Sequence, residues 1–221
     1  PSFCVILLPH WFARQAPRDE LRFVRLLESG EREEYHGPDK VVAAEDIKAA
    51  TSIASIFQSC HRAPLRYEFD DDDIVTANKC TFLMGAPISN RYTRAIYEQG
   101  NIVSAEHCTF QFVRQTETEH TGSRLFIENT ANGEQFISDQ DSDYALLSRL
   151  RCNTGSEDFV FVCAGAHAAG TKGAAAFLSE NWNLFADDSD EISFVLKVSR
   201  GASSVSPTVV ASTFGASRAI D

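Results

Sequence analysis

The stretch Phe159-Val-Phe-Val-Cys-Ala-Gly-Ala-His-Ala-Ala-Gly-Thr-Lys-Gly-Ala-Ala-Ala176 decides the fold. Its first six residues, Phe159 to Ala164, are all apolar, as is typical of a strand that is buried on both faces of a parallel sheet. A glycine-containing loop follows, and a helix is predicted over Lys172 to Leu184, with Phe177 and Leu178 turned inward. The sequence therefore predicts a crossover from a buried strand through a loop into a helix.

A similar crossover is predicted earlier in the chain. Lys79 to Met84 form a second buried strand, which runs into the loop Gly85-Ala-Pro-Ile-Ser-Asn90 and then into a helix over residues 91–99. Ser2 to Leu8 form a third apolar strand. Apolar residues spaced three and four apart predict an amphipathic helix over Glu45 to Cys60, with acidic residues in its first turn.

The other predicted elements are shorter. They are a helix over Asp19–Glu28, a polar loop over Glu31–Pro38, a strand over Leu65–Phe69, a short helix or irregular segment over Tyr144–Leu150, and a terminal hairpin of Ile192–Val198 with Thr208–Thr213. Residues 101–138 are rich in β-forming residues and turn signals, which predicts a small antiparallel insertion.

Three apolar strands that alternate with helices indicate an α/β fold. We predict a single Rossmann-like, three-layer domain over residues 1–221, with a mixed, mainly parallel sheet and helices on both faces. Because the sequence opens directly in a strand, we expect it to be part of a longer polypeptide. In such sheets, ligands bind outside the carboxyl ends of the strands, where loops meet helix N-termini.

Composition excludes some classes of function. The formal net charge is −11, which argues against direct nucleic-acid binding because a phosphate-backbone footprint needs clustered Lys and Arg. No apolar run approaches the roughly 20 residues of a membrane span. Four of the six cysteines, Cys4, Cys80, Cys108 and Cys163, lie in predicted buried strands, which favours reduced thiols and a cytoplasmic protein.

The loop from Gly165 to Gly173 is the stronger candidate site. Its glycines allow a close approach to a ligand, and a helix start carries partial positive charge, so the loop is predicted to cradle a phosphate or carboxylate. Thr171 is the expected N-cap, and His167 can donate to the anion. The spacing matches neither a dinucleotide fingerprint nor a P-loop. The alternative is that the glycines only permit tight packing. The predicted ligand-binding residues of this loop are Gly165, His167, Gly170, Thr171 and Lys172.

The loop from Gly85 to Arg91 is the second candidate. Pro87 stiffens the turn, Ser89 or Asn90 can cap the following helix, and Arg91 can reach an anion. The alternative is a helix cap with a solvated arginine. If the two loops follow neighbouring parallel strands, Gly85, Gly165 and Thr171 are predicted to border one cleft.

Trp11, which follows the first strand, is a third candidate because an indole can stack on a base or ring. The alternative is a tryptophan that covers the core. The acidic clusters Asp70–Asp73 and Asp139–Asp143 lack the spacing of a calcium loop, so no metal site is predicted.

Two segments resemble a known family. Phe82-Leu-Met-Gly-Ala-Pro-Ile-Ser-Asn90 and Val162-Cys-Ala-Gly-Ala-His-Ala-Ala-Gly-Thr-Lys-Gly-Ala-Ala175 are similar to two elements of an uncharacterised α/β domain found in actinobacterial proteins, often beside helix-turn-helix regulator modules. The resemblance covers about 25 residues closely. It implies a sensor or effector domain within a larger protein.

Three hypotheses for the function follow. The first is a sensor or effector domain that binds a nucleotide-like or other anionic small metabolite. The second is an enzyme that processes nucleotides or nucleosides, of the N-glycosidase or ribosyl-transfer type, which needs a carboxylate at the same sheet edge; Asp141, Asp143 and Glu106 are the candidates. The third is a protein-interaction module that uses residues 101–138. The sequence names no cofactor, and a homodimer stays open.

Overall fold

The computed structural model describes residues 4–8, 22–26, 32–36, 44–60, 65–69, 80–99, 108–115, 124–152, 159–185, 191–200 and 206–213. The helices are α1 (Ala44–Cys60), α2 (Arg91–Arg94), which continues as a π-helical turn (Ala95–Gln99), and α3 (Ala168–Glu180), which is followed by a 3-10 turn (Trp182–Phe185). The strands are β1 (Cys4–Leu8), β2 (Arg22–Leu26), β3 (Arg32–His36), β4 (Leu65–Phe69), β5 (Cys80–Met84), β6 (Phe110–Gln115), β7 (Arg124–Asn129), β8 (Gln135–Phe136), β9 (Ser142–Arg151), β10 (Phe159–Gly165), β11 (Ile192–Ser199) and β12 (Thr208–Ser212).

Seven strands form the main sheet in the order β12-β11-β9-β10-β5-β1-β4. The neighbours among β10, β5, β1 and β4 are parallel, whereas β9 is antiparallel to both β10 and β11, and β12 is antiparallel to β11. The predicted α/β class and mixed sheet are confirmed. The sheet is not mainly parallel, because three of its six pairings are antiparallel.

Helices α1 and α3 pack side by side on one face of the main sheet. Their buried residues form one hydrophobic core with side chains from β5, β9, β10 and β11. Ala174 and Ala175 of α3 are fully buried here, and Phe177 and Leu178 point inward as predicted. Small residues in α3 let the two helices approach closely.

A separate antiparallel sheet, β6-β7-β8, covers the other face. Its apolar side chains join Ile96 of the π-helical turn and residues of β5, β9, β10 and β11 in a second core cluster. The predicted small antiparallel sheet is therefore confirmed. The turn between β7 and β8 contains Gly133, which has a φ of 73°.

The helix predicted over Asp19–Glu28 is wrong, as is the polar loop after it. Residues 22–26 and 32–36 pair instead as an antiparallel hairpin, in which Arg25 lies opposite Glu33. The apolar and charged residues in 22–26 fit both the periodicity of a helix and the alternation of a strand. Pairing with residues 32–36 favours the strand.

The short helix or irregular segment predicted over Tyr144–Leu150 is also wrong, because these residues lie in β9, a ten-residue strand. Ala145 and Leu147 face the helical core, and Leu146 and Leu150 face the other cluster. The centre of β9 is therefore buried on both faces. Its buried residues include the polar Ser148 and the charged Arg149, so the strand lacks a continuous apolar run.

The edge strand β12 carries a bulge. Val195 pairs with Ala211 and Leu196 pairs with Val209, so Val210 is an extra residue in β12, and its side chain is exposed. A bulge on an edge strand opposes pairing with the edge of another sheet. This edge therefore gives no support to the homodimer.

The described cysteines fit the predicted reduced state. Cys108, Cys152 and Cys163 are buried and form no disulfide. Burial raises the pKa of the Cys108 thiol to about 11 and raises that of Cys163 further still. Within the described ranges, no helix is both long and apolar enough to cross a membrane.

Candidate functional site

The loops after β5 and β10 lie side by side. These strands are parallel neighbours, with Cys163 opposite Met84, so both loops leave the sheet at its carboxyl edge. The Gly85 N–H donates a hydrogen bond of 3.0 Å to the Cys163 carbonyl oxygen, which joins the start of one loop to the end of the neighbouring strand. The structure thus brings the two predicted site loops together.

The loop after β5 satisfies most of its own polar groups. Gly85 has a φ of 98°, a conformation that glycine adopts without strain. Asn90 is the N-cap of α2: its Oδ1 accepts the N–H groups of Tyr92 and Thr93, and its Nδ2 donates to the Met84 carbonyl oxygen. Asn90 is fully buried, so its role is to hold the loop.

The remaining predicted residues of this loop divide between structure and surface. Pro87 is buried, and the Ser89 hydroxyl donates to the Ala86 carbonyl oxygen. Arg91 is exposed, donates a hydrogen bond to the Tyr92 hydroxyl and lies over its ring.

Arg94, which the sequence did not single out, fastens the same loop. Its guanidinium donates to the carbonyl oxygens of Pro87, at 2.8 Å, and Ile88, at 3.1 Å. Of the cations in this segment, Arg91 therefore faces solvent and Arg94 is structural.

Helix α3 begins earlier than predicted, and Thr171 is not its N-cap. His167 is the N-cap, and its exposed side chain forms no capping hydrogen bond. Thr171 is buried in the first turn, where its hydroxyl accepts the Gly165 N–H at 3.1 Å. Thr171 thus ties the helix to the end of β10 and is not available to a ligand.

The carboxylate of Asp143 takes over the capping of α3. It accepts the Gly170 N–H at 2.6 Å, the His167 N–H at 3.1 Å and the Ser138 hydroxyl at 2.7 Å. Asp143 reaches this position because β9 runs antiparallel to β10, so the start of β9 meets the end of β10. It is fully buried.

Opposing effects act on the pKa of Asp143. Burial raises it, because the charged form loses solvation. The hydrogen bonds from Ser138 and Gly170 and the charge of His167 act in the opposite direction. The net shift is upward, so Asp143 is a buried carboxyl that binds protons more tightly than a solvated one.

The glycines of the Gly165–Gly173 loop serve packing. A Cβ on Gly165 would lie 2.5 Å from the Gly170 Cα, and a Cβ on Gly170 would lie 2.7 Å from Asp143 Oδ2. A Cβ on Gly173 would lie 2.5 Å from a Val198 methyl. Their small size lets strand, loop and helix approach each other, as the packing alternative proposed.

Lys172 lies near another helix start. It is half-buried. The hydrogen bond from Lys48 lowers the pKa of Glu45 in the first turn of α1, and the charge of Lys172 adds a smaller effect in the same direction. The third candidate, Trp11, lies outside the described residues, as does the acidic cluster Asp70–Asp73.

Two N–H groups of the α3 start keep their hydrogen-bonding capacity. Ala168 and Ala169 occupy the first two helical positions, which have no intrahelical acceptor. In the described part of the chain, no other group accepts from them. Among the described residues of this edge, they lie beside the exposed side chain of His167.

The acidic segment before β9 forms a turn. Asp139 accepts hydrogen bonds from the N–H groups of Asp141 and Ser142 and from the Ser142 hydroxyl, which lower its pKa. Among the residues that the structure describes, no group of three His, Cys, Asp or Glu side chains could hold a metal ion.

Asp143 is the residue that sequence reasoning undervalued. The sequence places it among three candidate loop carboxylates, because residues 144–150 lack the alternating pattern of a strand. Pairing that segment antiparallel to β10 would have brought Asp143 to the carboxyl edge.

Comparisons with protein-family models, with curated protein sequences and with solved structures give no match, so geometry alone carries the functional argument.

Proposed function

We propose that this protein binds a small anionic metabolite, such as a nucleotide-like molecule. The ligand would bind at the carboxyl edge of the main sheet, at the loops after β5 and β10. The observation that carries this proposal is the hydrogen bond between the Gly85 N–H and the Cys163 carbonyl oxygen, which holds the two loops together. The proposal treats the sheet as Rossmann-like in one respect, which is the use of this edge for ligands.

The donors at this edge support an anion. Arg91 and His167 are both exposed, and the N–H groups of Ala168 and Ala169 add the positive end of a thirteen-residue helix. Asp143 works against the anion, because it already neutralises part of that positive end. We therefore expect modest affinity, with the ligand held by the first two helical N–H groups and the exposed side chains.

Isothermal titration calorimetry with inorganic phosphate and with adenosine monophosphate tests the proposal. His167→Ala and Arg91→Ala should each weaken binding about five- to tenfold, which corresponds to the loss of one solvent-exposed hydrogen bond. His167→Ala is a clean variant because the side chain makes no cap hydrogen bond. Arg114→Ala, an exposed arginine on β6, is the matched control and should bind like the wild type. Absence of binding by either probe contradicts the proposal.

A second candidate is an enzyme that processes nucleotides or nucleosides. The position of Asp143 favours it, because this reaction type needs a carboxylate at the carboxyl edge and Asp143 has a raised pKa. Incubation with NAD and with nucleosides, followed by mass spectrometry, should then release free base. Asp143→Asn should abolish that release, and binding without any product favours the sensor.

A further inference from the structure

The two edges of the main sheet end differently. Strand β12 forms one edge, and its bulge interrupts the register with β11. Strand β4 forms the other edge, and its five residues pair with β1 in one unbroken parallel register. Among the strands that the structure describes, β4 pairs with no other, so its second row of backbone N–H and C=O groups has no strand partner there. The edge at β4 is therefore the regular one, to which a further strand can add.

The residues of β4 divide by chemistry between the two faces of the sheet. The register places Tyr67 beside Ile6 and Ile6 beside Phe82, so these three residues share one face. Phe82 belongs to the core cluster beneath α1 and α3, so this is the helical face. Because successive residues of a strand alternate between faces, the other apolar residues of β4 are on the helical face, and Arg66 and Glu68 are on the opposite face.

The order of the charges makes this strand complementary to itself. If a second copy of β4 lies antiparallel to the first with Tyr67 opposite Tyr67, then Arg66 of each copy lies opposite Glu68 of the other. The same register places Leu65 opposite Phe69, which is an apolar pair. Directly opposed unlike charges and apolar or aromatic pairs stabilise an antiparallel ladder, whereas directly opposed like charges destabilise it.

The sequence on both sides of β4 extends this charge polarity. Arg62 precedes the strand, and the acidic run Asp70–Asp73 follows it. In a two-fold antiparallel arrangement, the chain that leads into one copy's strand approaches the chain that leaves the other's. A basic residue then approaches acidic residues at both ends of the pair. This attraction offsets part of the repulsion between two copies that each carry a net charge of −11.

We propose that a second copy of this chain pairs with β4 across a two-fold axis, so that the main sheet continues from one protomer into the other. The occupant is a second copy because the charge pattern of β4 is complementary to its own reverse, as an isologous interface requires. Pairing at β4 leaves the bulged strand β12 at both outer edges of the joined sheet, where the bulge opposes further addition. This proposal is independent of the proposed function.

Sedimentation velocity over a series of protein concentrations tests the proposal. The wild type should sediment as a reversible dimer. Arg66→Glu places acidic side chains opposite each other at two symmetric positions, and Glu68→Arg does the same with basic side chains. Each substitution should therefore weaken dimerisation at least about tenfold. Arg114→Glu makes the same charge change at an exposed position of β6, so it is the matched control and should dimerise like the wild type.

A mixture of the two weakened variants gives the sharpest test. When Arg66→Glu pairs with Glu68→Arg, an acidic side chain again faces a basic one at both positions, so the mixture should form a heterodimer although each variant dimerises poorly alone. The double substitution of Arg66→Glu with Glu68→Arg restores both pairs within one chain and should regain the dimerisation of the wild type. It serves as the second test if either single variant fails to fold, which circular dichroism reveals.

Three outcomes overturn the proposal. The first is a wild type that stays monomeric at the highest concentration. The second is a dimer that Arg66→Glu and Glu68→Arg leave unchanged, because the interface would then lie elsewhere. The third is a failure of both the mixture and the double variant to restore dimerisation, because the loss in the single variants would then not come from the opposed charges.

Discussion

The Gly170 N–H donates a 2.6 Å hydrogen bond to the carboxylate of Asp143, which lies 27 residues earlier in the chain. This contact joins the start of β9 to the first turn of α3. It places an internal negative charge where the sequence predicted an external anion. The Asp143 carboxylate therefore already occupies the N–H groups of His167 and Gly170 at this crossover. A ligand must bind beside Asp143.

Asp143→Ala should destabilise the fold by about 3 kcal/mol, because it leaves the His167 and Gly170 N–H groups and the Ser138 hydroxyl without their acceptor. Urea unfolding followed by circular dichroism measures the change. Ser138→Ala removes one donor only and should cost about 1 kcal/mol. Similar unfolding free energies for Asp143→Ala and the wild type would mean that the hydrogen bonds of Asp143 do not stabilise the fold.

Asp143→Asn should strengthen anion binding. The substitution removes a negative charge beside the α3 start and keeps an oxygen that can accept from Gly170. At a separation of a few ångströms, a like charge costs an anion about 1 kcal/mol or more, so phosphate affinity should rise at least about fivefold. Titration calorimetry of the folded variant measures this, and weaker or unchanged binding indicates that the anion does not lie near Asp143.

Gly170→Ala should destabilise the protein more than Gly133→Ala. The new Cβ would lie 2.7 Å from both Asp143 Oδ2 and the Gly165 Cα, and the backbone atom cannot move aside cheaply. At Gly133 nothing lies within 4 Å, so the only cost is the positive φ of 73°, about 1 kcal/mol.

Thermal unfolding of the two glycine variants gives the comparison. A smaller loss for Gly170→Ala would mean that the loop has room beside Asp143. That result would support the prediction from the sequence that these glycines allow a ligand to approach the backbone closely.

Elements with an unambiguous pattern were predictable from the sequence. The structure confirms the β10–α3 crossover, which was predictable because six consecutive apolar residues before a glycine loop favour a buried strand. It also confirms α1, which was predictable from its regular apolar spacing. The Gly85 and Gly165 loops were placed at one edge by the rule for parallel strands alone, and the β5–β10 pairing bears this out.

The failures share one physical cause, which is that tertiary contacts decided between local alternatives. Residues 144–150 fit a buried helix or a buried strand, and pairing with β10 and β11 selected the strand. Thr171 has the chemistry of an N-cap, but Asp143 supplies the capping carboxylate and the helix starts one turn earlier. A local motif could not reveal a partner 27 residues away.

The last prediction concerns the pH dependence of stability through Asp46. Burial in the first turn of α1, with a smaller contribution from the charge of Glu45, raises the pKa of Asp46 from its ordinary value of 3.8 to about 6. The folded state therefore favours the protonated form, so this group's contribution is present below pH 4 and is lost as the pH rises to about 6. The loss is about 3 kcal/mol, since each unit of pKa difference corresponds to about 1.4 kcal/mol.

Asp46→Asn removes the titration, so the variant should match the wild type near pH 4 and exceed its unfolding free energy at pH 7.5. Urea unfolding at the two pH values measures the difference, and Glu45→Gln serves as the control because its carboxylate is paired with Lys48 and has a lowered pKa. Stabilisation of the same size at both pH values would mean that the gain does not come from burying the charge. A loss of stability at pH 7.5 would mean that the Asp46 carboxylate has a favourable partner. Stabilisation by Asp46→Asn only at the higher pH is the signature of a carboxylate that the fold buries at a cost.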